Sequence, residues 1–463
     1  MSYTPANKVR IVTAAALFDG HDAAINIMRR IMQSRGAEVI HLGHNRSAQE
    51  IVETAIQEDA QGIAVTSYQG GHIEFFKYMH DLLRDAGCGH IKIFGGGGGT
   101  ILPTEIEELH QYGITRIYSP DDGRRMGLEG MIEDLIKQCD FLTVSSLNGE
   151  LKNINTKEWR TIAKTITYAE AGNKVPIESR SGAIAPVLGI TGTGGAGKSS
   201  VTDEIVRRFL RNFTDKTIAV ISVDPSKKKT GGALLGDRIR MNAISNPRAY
   251  MRSLATRESD KALSQYVQEA IDICRSAGFD FIILESAGVG QSDASILDYC
   301  DLSLYLMTPE YGAPSQLEKI NMLDYADVIA INKFDKAGAL DALADVRKQY
   351  KRNHGKFQAK DEELPIVGTI ASQFNDAGVN HLFELLFLKL NEKTGTEFNV
   401  AHTSAKNTVS KSQVIPPARV RYLAEIAETI AEYDQWVEAQ STIVRGMYQL
   451  QGVIDMVEKA GGN

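Results

Sequence analysis

The sequence predicts an α/β protein with two consecutive parallel-sheet domains and a helical C-terminal tail. Apolar strand patterns alternate with helical patterns from Val9 to Cys139, a second alternation begins at Val187, and a helical pattern covers Arg419 to Ala460. Such alternation favours parallel sheets flanked by helices. The 463 residues are enough for about two to four domains. No apolar run approaches the ~20 residues of a membrane helix, and Met1–Arg10 lacks the apolar core of a signal peptide.

Composition narrows the class of protein. Hydrophobic residues make up 43% and charged residues 24%, which is typical of a globular chain, and the net charge of −7 argues against a nucleic-acid partner. The basic run Lys227–Lys229 fits a solvated loop. The cysteines are scattered without metal-ligand spacing, so we expect a reducing, cytoplasmic compartment and no structural zinc. They are Cys88, Cys139, Cys274 and Cys300.

The first domain, residues 1–140, contains five strand–helix units. Strands are predicted at Val9–Thr13, Glu38–His41, Gly62–Thr66, Ile91–Phe94 and Arg116–Tyr118. Helices are predicted near Ala23–Ser34, Ala48–Glu58, Ile73–Ala86, Pro103–Tyr112 and Met126–Cys139. This succession predicts a doubly wound, flavodoxin-like sheet with ligands at the carboxyl ends of its strands.

Three loops at those strand ends have unusual sequences. In Asp19–Asp22, the Asp19 carboxylate can hold one imidazole nitrogen of His21 and leave the other for a metal. The second loop, Thr66–His72, follows the third strand. The third loop is Gly95–Gly99, whose glycines lack side chains. Such a run lets a flat or bulky group approach the backbone. We expect this role, rather than core packing, to explain the glycines.

These loops resemble the three motifs of base-off cobalamin-binding domains. The resemblance implies that His21 is the lower axial ligand of cobalt and that Asp19 tunes it. It also implies a slot for the displaced nucleotide tail, lined by Ser67, Gly95, Gly96 and Gly97. Two departures bear on the walls of that slot: Ala24 replaces a glycine, and Thr66–Tyr68 replaces the common Ser-x-Leu.

Residues 141–184 lack a strand pattern and are predicted to be a linker. One helical stretch, Lys157–Ala171, lies within it. We expect this helix to pack on one neighbouring domain.

The segment Gly192–Ser199 matches the G-x-x-x-x-G-K-[ST] phosphate loop, between the predicted strand Val187–Thr191 and a helix over Lys198–Arg211. The glycines turn backbone N–H groups toward an anion, and the helix begins at the phosphates. The Lys198 ammonium suits the β- and γ-phosphates, and the Ser199 hydroxyl suits Mg2+. The predicted nucleotide contacts are Gly192, Gly194, Gly195, Ala196, Gly197, Lys198, Ser199 and Ser200.

Two later segments indicate a guanine nucleotide. Asn332–Asp335 follows the predicted strand Val328–Ile331 and has the Asn-Lys-x-Asp pattern by which G proteins read guanine. The Asp335 carboxylate can accept hydrogen bonds from N1–H and the 2-amino group, which adenine does not offer as a pair. The Lys333 stem can cover the ring, and Ser372 lies where G proteins place their last base-contacting loop.

Acidic residues follow two further predicted strands, Thr217–Val223 and Phe279–Leu284. With the phosphate loop they resemble the G-protein chaperones of methylmalonyl-CoA mutase, from Ala185 to Glu392. The resemblance implies a GTPase domain over 185–395, with Gly288 at the γ-phosphate and with Lys198, Asp224 and Glu285 in catalysis. The implied magnesium site consists of Ser199, Asp224, Asp237 and Glu285.

The order of the two domains is similar to that in fused isobutyryl-CoA mutases. Those enzymes continue into an acyl-CoA-binding barrel of ~250 residues. Here residues 396–463 form a polar linker and the helical tail, so a natural half-enzyme and a fragment both stay open. Apolar residues Leu423, Ile426, Ile430 and Trp436 lie at helical spacing in the tail, and they pack on the GTPase, on a barrel subunit or on a second copy.

The resemblance implies adenosylcobalamin, GTP or GDP, and Mg2+ as cofactors. It implies a barrel-type mutase subunit as partner, a homo-oligomer formed through the G domain, and an adenosyltransferase as a further partner. The predicted function is the cobalamin-binding and GTPase-chaperone portion of an acyl-CoA mutase, with GTP hydrolysis gating cofactor loading or release. The alternative is a GTP-switched cobalamin carrier or sensor. A nickel or zinc chaperone is disfavoured because the sequence lacks a Cys/His cluster.

Overall fold

The computed structural model describes residues 3–147, 150–176, 185–227, 229–256, 266–288, 294–312, 314–400 and 422–461. The chain divides into two compact units, Met1–Ser404 and Ala405–Asn463. The predicted linker residues 177–184 and the loop residues Val289–Ser292 lie outside the described residues, as do Lys228 and most of the polar stretch Thr394–Ser412.

Strands and helices alternate through the first unit. The strands are β1 (Arg10–Ala15), β2 (Glu38–His41), β3 (Gly62–Thr66), β4 (Lys92–Gly96), β5 (Arg116–Tyr118), β6 (Val187–Gly192), β7 (Ile218–Asp224), β8 (Ala233–Leu235), β9 (Ala249–Ala255), β10 (Phe281–Glu285), β11 (Leu302–Met307), β12 (Val328–Asn332) and β13 (Ile366–Thr369). The helices are α1 (Ala23–Ser34), α2 (Ala48–Gln57), α3 (His72–Asp85), α4 (Pro103–Tyr112), α5 (Pro120–Cys139), α6 (Trp159–Glu170), α7 (Lys198–Asn212), α8 (Val267–Ala277), α9 (Pro314–Leu317), α10 (Met322–Tyr325), α11 (Ala339–Asn353) and α12 (Ala377–Thr394).

The first sheet has the parallel order β5-β4-β3-β1-β2-β8. Its first five strands have the flavodoxin-like order, which confirms the predicted fold class. The order reverses between β1 and β3, so the loops after these two strands flank the crevice in which such sheets bind ligands. The sixth strand was not predicted: Ala233 pairs with Glu38 of β2, so a segment from beyond the phosphate loop completes the sheet.

The second sheet has the parallel order β13-β12-β11-β6-β10-β7-β9. Its central strand β6 is buried along its whole length and leads directly into the phosphate loop. Behind that loop, Phe209 of α7 stacks on Phe281 of β10, with ring centroids 5.4 Å apart, and on Phe387 of α12 at 6.1 Å. This apolar packing fixes the helix whose N-terminus faces the loop.

The glycine run differs from the prediction, because Gly95 and Gly96 lie inside β4 rather than in a loop. A Cβ atom on Gly95 would lie 2.4 Å from Cζ of Phe76, and one on Gly97 would lie 2.0 Å from the carbonyl oxygen of Ser67. The expectation that core packing does not explain the run is therefore wrong for Gly95.

The linker helix α6 was expected to pack on one neighbour, and this was wrong. It contacts α2 of the first domain and α8 of the second. Its last residue, Glu170, forms ion pairs with Arg10 of β1 at 3.4 Å and with Arg252 of β9 at 2.5 Å. Helix α6 therefore ties the two sheets together within the first unit.

The second unit contains α13 (Tyr422–Lys459), whose bounds are close to those predicted for the tail helix, Arg419–Ala460. Residues 419–421 and the side chain of Leu423 lie outside the description. The side chains of Ile426, Ile430 and Trp436 are exposed. Among the described residues, no helix is both long and apolar enough to cross a membrane.

Candidate cofactor and nucleotide sites

Asp19 lies after β1 and holds His21 in a fixed position. Its carboxylate accepts hydrogen bonds from the backbone N of His21 at 2.9 Å, from His21 Nδ1 at 2.9 Å and from the backbone N of Tyr68 at 2.7 Å. Burial opposes ionisation of Asp19, but these hydrogen bonds outweigh it and lower its pKa. The His21 side chain is 75% exposed, so Nε2 is left for a ligand from outside the chain.

A cavity of about 190 Å3 lies beside the glycine run. Its wall includes Thr66, Tyr68 and Gly95–Gly98, with apolar residues of α1 and α5, whereas Ser67 does not line it. The hydroxyls of Thr66 and Ser67 are both buried without a hydrogen-bond partner. Because buried hydroxyls are normally paired, the Thr66 hydroxyl fits a polar atom of a ligand in this cavity.

Thr66 was absent from the predicted site residues. The signal was in the sequence, because Thr66 occupies the serine position of the Ser-x-Leu pattern and Ser67 occupies the variable position.

The phosphate loop connects β6 to α7 as predicted. Gly195 and Gly197 have φ of 75° and 89°, a region that favours glycine. Lys198 Nζ donates to the carbonyl oxygen of Gly192 at 3.3 Å. A Cβ on Gly288 would lie 3.1 Å from Lys198 Nζ and 3.3 Å from Cα of Gly194, so Gly288 faces the lysine head across the loop.

Four polar side chains meet at the start of α7. Ser199 Oγ lies 2.8 Å from Oδ1 of Asp237 and 3.0 Å from Oε1 of Glu285, and Thr202 donates to Glu285 at 2.8 Å. Asp224 adjoins this group, because its carboxylate accepts from the backbone N of Gly236 at 3.1 Å. Ser200 follows Ser199 in the first turn of α7.

The electrostatics of this group indicate a cation site. Burial, reinforced by the Asp237 carboxylate, raises the pKa of Glu285 to about 8. Burial and Asp237 also raise the pKa of Asp224. Clustered carboxylates beside a phosphate-loop serine are the oxygen ligands that Mg2+ prefers, and a bound cation would relieve their mutual repulsion.

Asn332 braces the loops around the predicted base site. Its side-chain amide donates to the carbonyl oxygen of Ala196 at 2.8 Å, and its Oδ1 accepts from the backbone N of Ala371 at 3.1 Å. Lys333 has a positive φ of 58°, while Asp335 and Ser372 are exposed. Asn332 therefore joins the phosphate loop to the loop after β13, and Asp335 and Ser372 stand free for a ligand.

Two family models match parts of the chain. Residues 162–415 match the family model "Methylmalonyl Co-A mutase-associated GTPase MeaB", and residues 9–122 match the "B12 binding domain".

The chain is also similar to proteins named fused isobutyryl-CoA mutase. It is 55% identical to that of Geobacillus kaustophilus over 99% of this chain and 44% of the relative. It is 54% identical to that of Cupriavidus metallidurans over 99% and 43%, and 49% identical to that of Nocardia farcinica over 97% and 42%. The chain thus spans less than half the length of these relatives.

Proposed function

Since the chain belongs to the family of methylmalonyl-CoA mutase-associated GTPases and carries a B12-binding domain, we propose that it is the cobalamin-binding and GTPase-chaperone portion of an acyl-CoA mutase. The substrate of the whole enzyme would be isobutyryl-CoA or methylmalonyl-CoA. The observation that carries this proposal is the exposed imidazole of His21, held through Nδ1 by a buried carboxylate, in the same compact unit as a phosphate loop.

The residues at the first sheet fit cobalamin. His21 Nε2 would bind cobalt, with Asp19 holding the ring, and the unpaired hydroxyl of Thr66 would meet a polar atom of the tail, while Ser67, the predicted slot residue, would lie behind the cavity wall. The predicted slot residues Gly95, Gly96 and Gly97 leave its backbone wall open. When bound, adenosylcobalamin supplies a carbon radical by cleavage of its cobalt–carbon bond.

In the second sheet, GTP would bind over the phosphate loop. Lys198 neutralises the β- and γ-phosphates, and Gly288 leaves room for the γ-phosphate beside the lysine head. Ser199, Asp224, Asp237 and Glu285 would hold Mg2+ and its waters, and Glu285 would orient the attacking water. Asp335 reads guanine, Lys333 covers the ring, and the loop of Ser372 closes the base site.

The partner of this chain would be an acyl-CoA-binding barrel subunit, because radical chemistry needs a cavity that excludes water and the His21 side chain is 75% exposed. Two further partners remain predictions. One is a second copy of the chain, bound through the G domain, and the other is an adenosyltransferase that delivers the cofactor. A reducing cytoplasm also stays a prediction, and the free state of all four cysteines supports it. We also propose that the domains end or begin near residues 140, 185 and 395.

The test uses the purified chain with and without a candidate barrel subunit. We expect the chain alone to hydrolyse GTP and bind adenosylcobalamin but to rearrange no acyl-CoA, and turnover to appear when the barrel subunit is added. Lys198→Ala should abolish phosphate release, with Lys351→Ala as control, a lysine whose side chain is 23% exposed and pairs with Asp361. Acyl-CoA turnover by the isolated chain would refute the division of labour. Cobalamin and GTP binding without turnover in the presence of any barrel subunit would favour the carrier or sensor.

Base recognition has a separate test. Asp335→Asn should weaken GTP binding at least about tenfold and favour XTP, because the carboxylate acceptor is replaced by an amide that also donates. Competition between GTP and XTP measures the shift, with the exposed neighbour Lys336→Ala as control. Unchanged selectivity would remove Asp335 from the base site.

A further inference from the structure

A buried ion-pair network joins the predicted magnesium site to the first domain. Arg238 directly follows Asp237 and is 3% exposed. Its Nε donates to Glu58 at 2.7 Å and its Nη2 donates to Gln57 at 2.9 Å. Gln57 and Glu58 lie at the C-terminal end of α2, so the guanidinium reaches the first domain, while its Nη2 also donates to the carbonyl oxygen of Met251 in β9 of the second domain.

Glu58 is an anchor shared by three elements. Its side chain is fully buried, and it also pairs with Arg10 of β1 at 3.4 Å and accepts from Ser253 Oγ of β9 at 2.8 Å. A buried carboxylate with partners on several sides has little freedom to move, since any displacement leaves a charge unpaired. Arg238 is therefore held against a rigid group.

The same segment carries a magnesium-site residue. Asp237 lies 2.8 Å from Ser199 Oγ and also contacts Ser222. On its other side, Gly236 donates to Asp224 and β8 is paired in the first sheet. The short segment from β8 to Arg238 is thus fixed at both ends to the first domain, and Asp237 lies between the two attachments.

We propose that Glu58 of the first domain is a positioning residue for the magnesium site and acts through Arg238 on Asp237. The inference rests on the proposed nucleotide function and extends it, because neither family model nor any motif assigns a role to Glu58. It makes the first domain a structural part of the nucleotide site. Loss of the Glu58–Arg238 pair would let Asp237 drift from Ser199 and weaken the hold on Mg2+.

The experiment measures Mg2+ affinity rather than turnover. The full chain is loaded with the non-hydrolysable analogue GMPPNP, and the Mg2+ concentration giving half-saturation is determined by calorimetry. For Glu58→Gln we expect that concentration to rise about tenfold, as is usual when a group that orients a metal ligand is removed. Affinity for GMPPNP in EDTA should stay unchanged. Arg238→Gln should have the same effect, and the double variant should be no worse than either single variant.

The matched control is Glu170→Gln, which removes a buried carboxylate from the same network. Glu170 pairs with Arg10 and Arg252 but not with Arg238. It should lower the melting temperature as Glu58→Gln does, yet leave Mg2+ half-saturation at the wild-type value. Equal Mg2+ half-saturation in wild type and folded Glu58→Gln would overturn the inference. So would an equal loss in Glu170→Gln, and so would additive losses in the double variant. Failure of the wild-type chain to bind GMPPNP would instead overturn the proposed function.

Discussion

The two sites place their carboxylates in opposite electrostatic states. Asp19 in the first sheet is buried, but two backbone N–H groups and an imidazole satisfy it, so its pKa is lowered. Glu285 in the second sheet is buried beside Asp237, so its pKa is raised to about 8. The first carboxylate is complete within the protein and serves to orient another ligand. The second faces another carboxylate, and under the proposed function a cation would complete it.

The largest expected effect is on the incomplete site. Glu285→Gln removes one of the charges that would hold Mg2+ and orient water, so we expect GTP turnover to fall about 100-fold, comparable to the loss of one preorganised group in other enzymes. Phosphate release under saturating GTP and Mg2+ measures it. Asp280 directly precedes β10, at the end of the strand opposite Glu285. Asp280→Asn is the control and should keep wild-type turnover. Wild-type turnover by Glu285→Gln would contradict the inferred difference between the two sites.

A smaller effect is expected at the complete site. His21→Ala should fold and lose the absorbance spectrum of imidazole-ligated cobalt. Asp19→Asn should keep a weakened spectrum and lower cobalamin affinity about tenfold, because an outer partner of a metal-bound imidazole is removed. Titration with cobalamin, followed by absorbance, measures both changes, with neighbouring Asp22→Asn as control. Retention of the wild-type spectrum by His21→Ala would exclude His21 as the cobalt ligand.

The smallest expected effect is on the pH dependence of the melting temperature, which tests the raised pKa of Glu285. Glu285 has a folded-state pKa of about 8, above its unfolded value near 4.5, so its contribution to stability is present below pH 4.5 and is lost as pH rises toward 8. In EDTA the melting temperature should therefore fall between about pH 5 and 8 and level off above pH 8.

Two controls separate this effect from other titrations. Mg2+ with GDP should flatten the slope, because the cation keeps the carboxylate ionised and paired. Glu285→Gln should reduce it without Mg2+ and leave the part contributed by Asp224, whose pKa burial and Asp237 also raise. Asp19, with its lowered pKa, contributes stability above its unfolded pKa of 3.8 and loses it only as pH falls through the acidic range, so it adds no slope in this range. Equal slopes in wild type and Glu285→Gln would contradict the raised pKa.

Much of the fold followed from local patterns. The strands Glu38–His41, Gly62–Thr66 and Arg116–Tyr118 were predicted to the residue, because each is a short apolar run between clear helical repeats. The phosphate loop was equally visible because its function demands a fixed spacing. Strand β8 was missed because it forms by pairing with the open edge of β2, which is distant in the sequence.

The unpredicted parts of the sites depend on contacts across long sequence separations. Arg238 and Glu58 are 180 residues apart, and neither position has a pattern that identifies the other. Asp237 was placed by family resemblance, but only the folded chain shows its carboxylate beside Ser199. The packing of Phe76 against Gly95 also lay beyond the sequence, because a glycine run indicates close approach without showing what approaches.

Strand β8 has a consequence for synthesis and for truncation of the chain. The first sheet is completed only when Leu235 has left the ribosome, long after β5 has been made. Until then β2 presents unpaired N–H and C=O groups along an apolar strand, which is the arrangement that recruits other chains into aggregates. A fragment ending at Asp140 would retain that open edge permanently. The first sheet therefore includes a strand, β8, that lies within the second domain in the sequence.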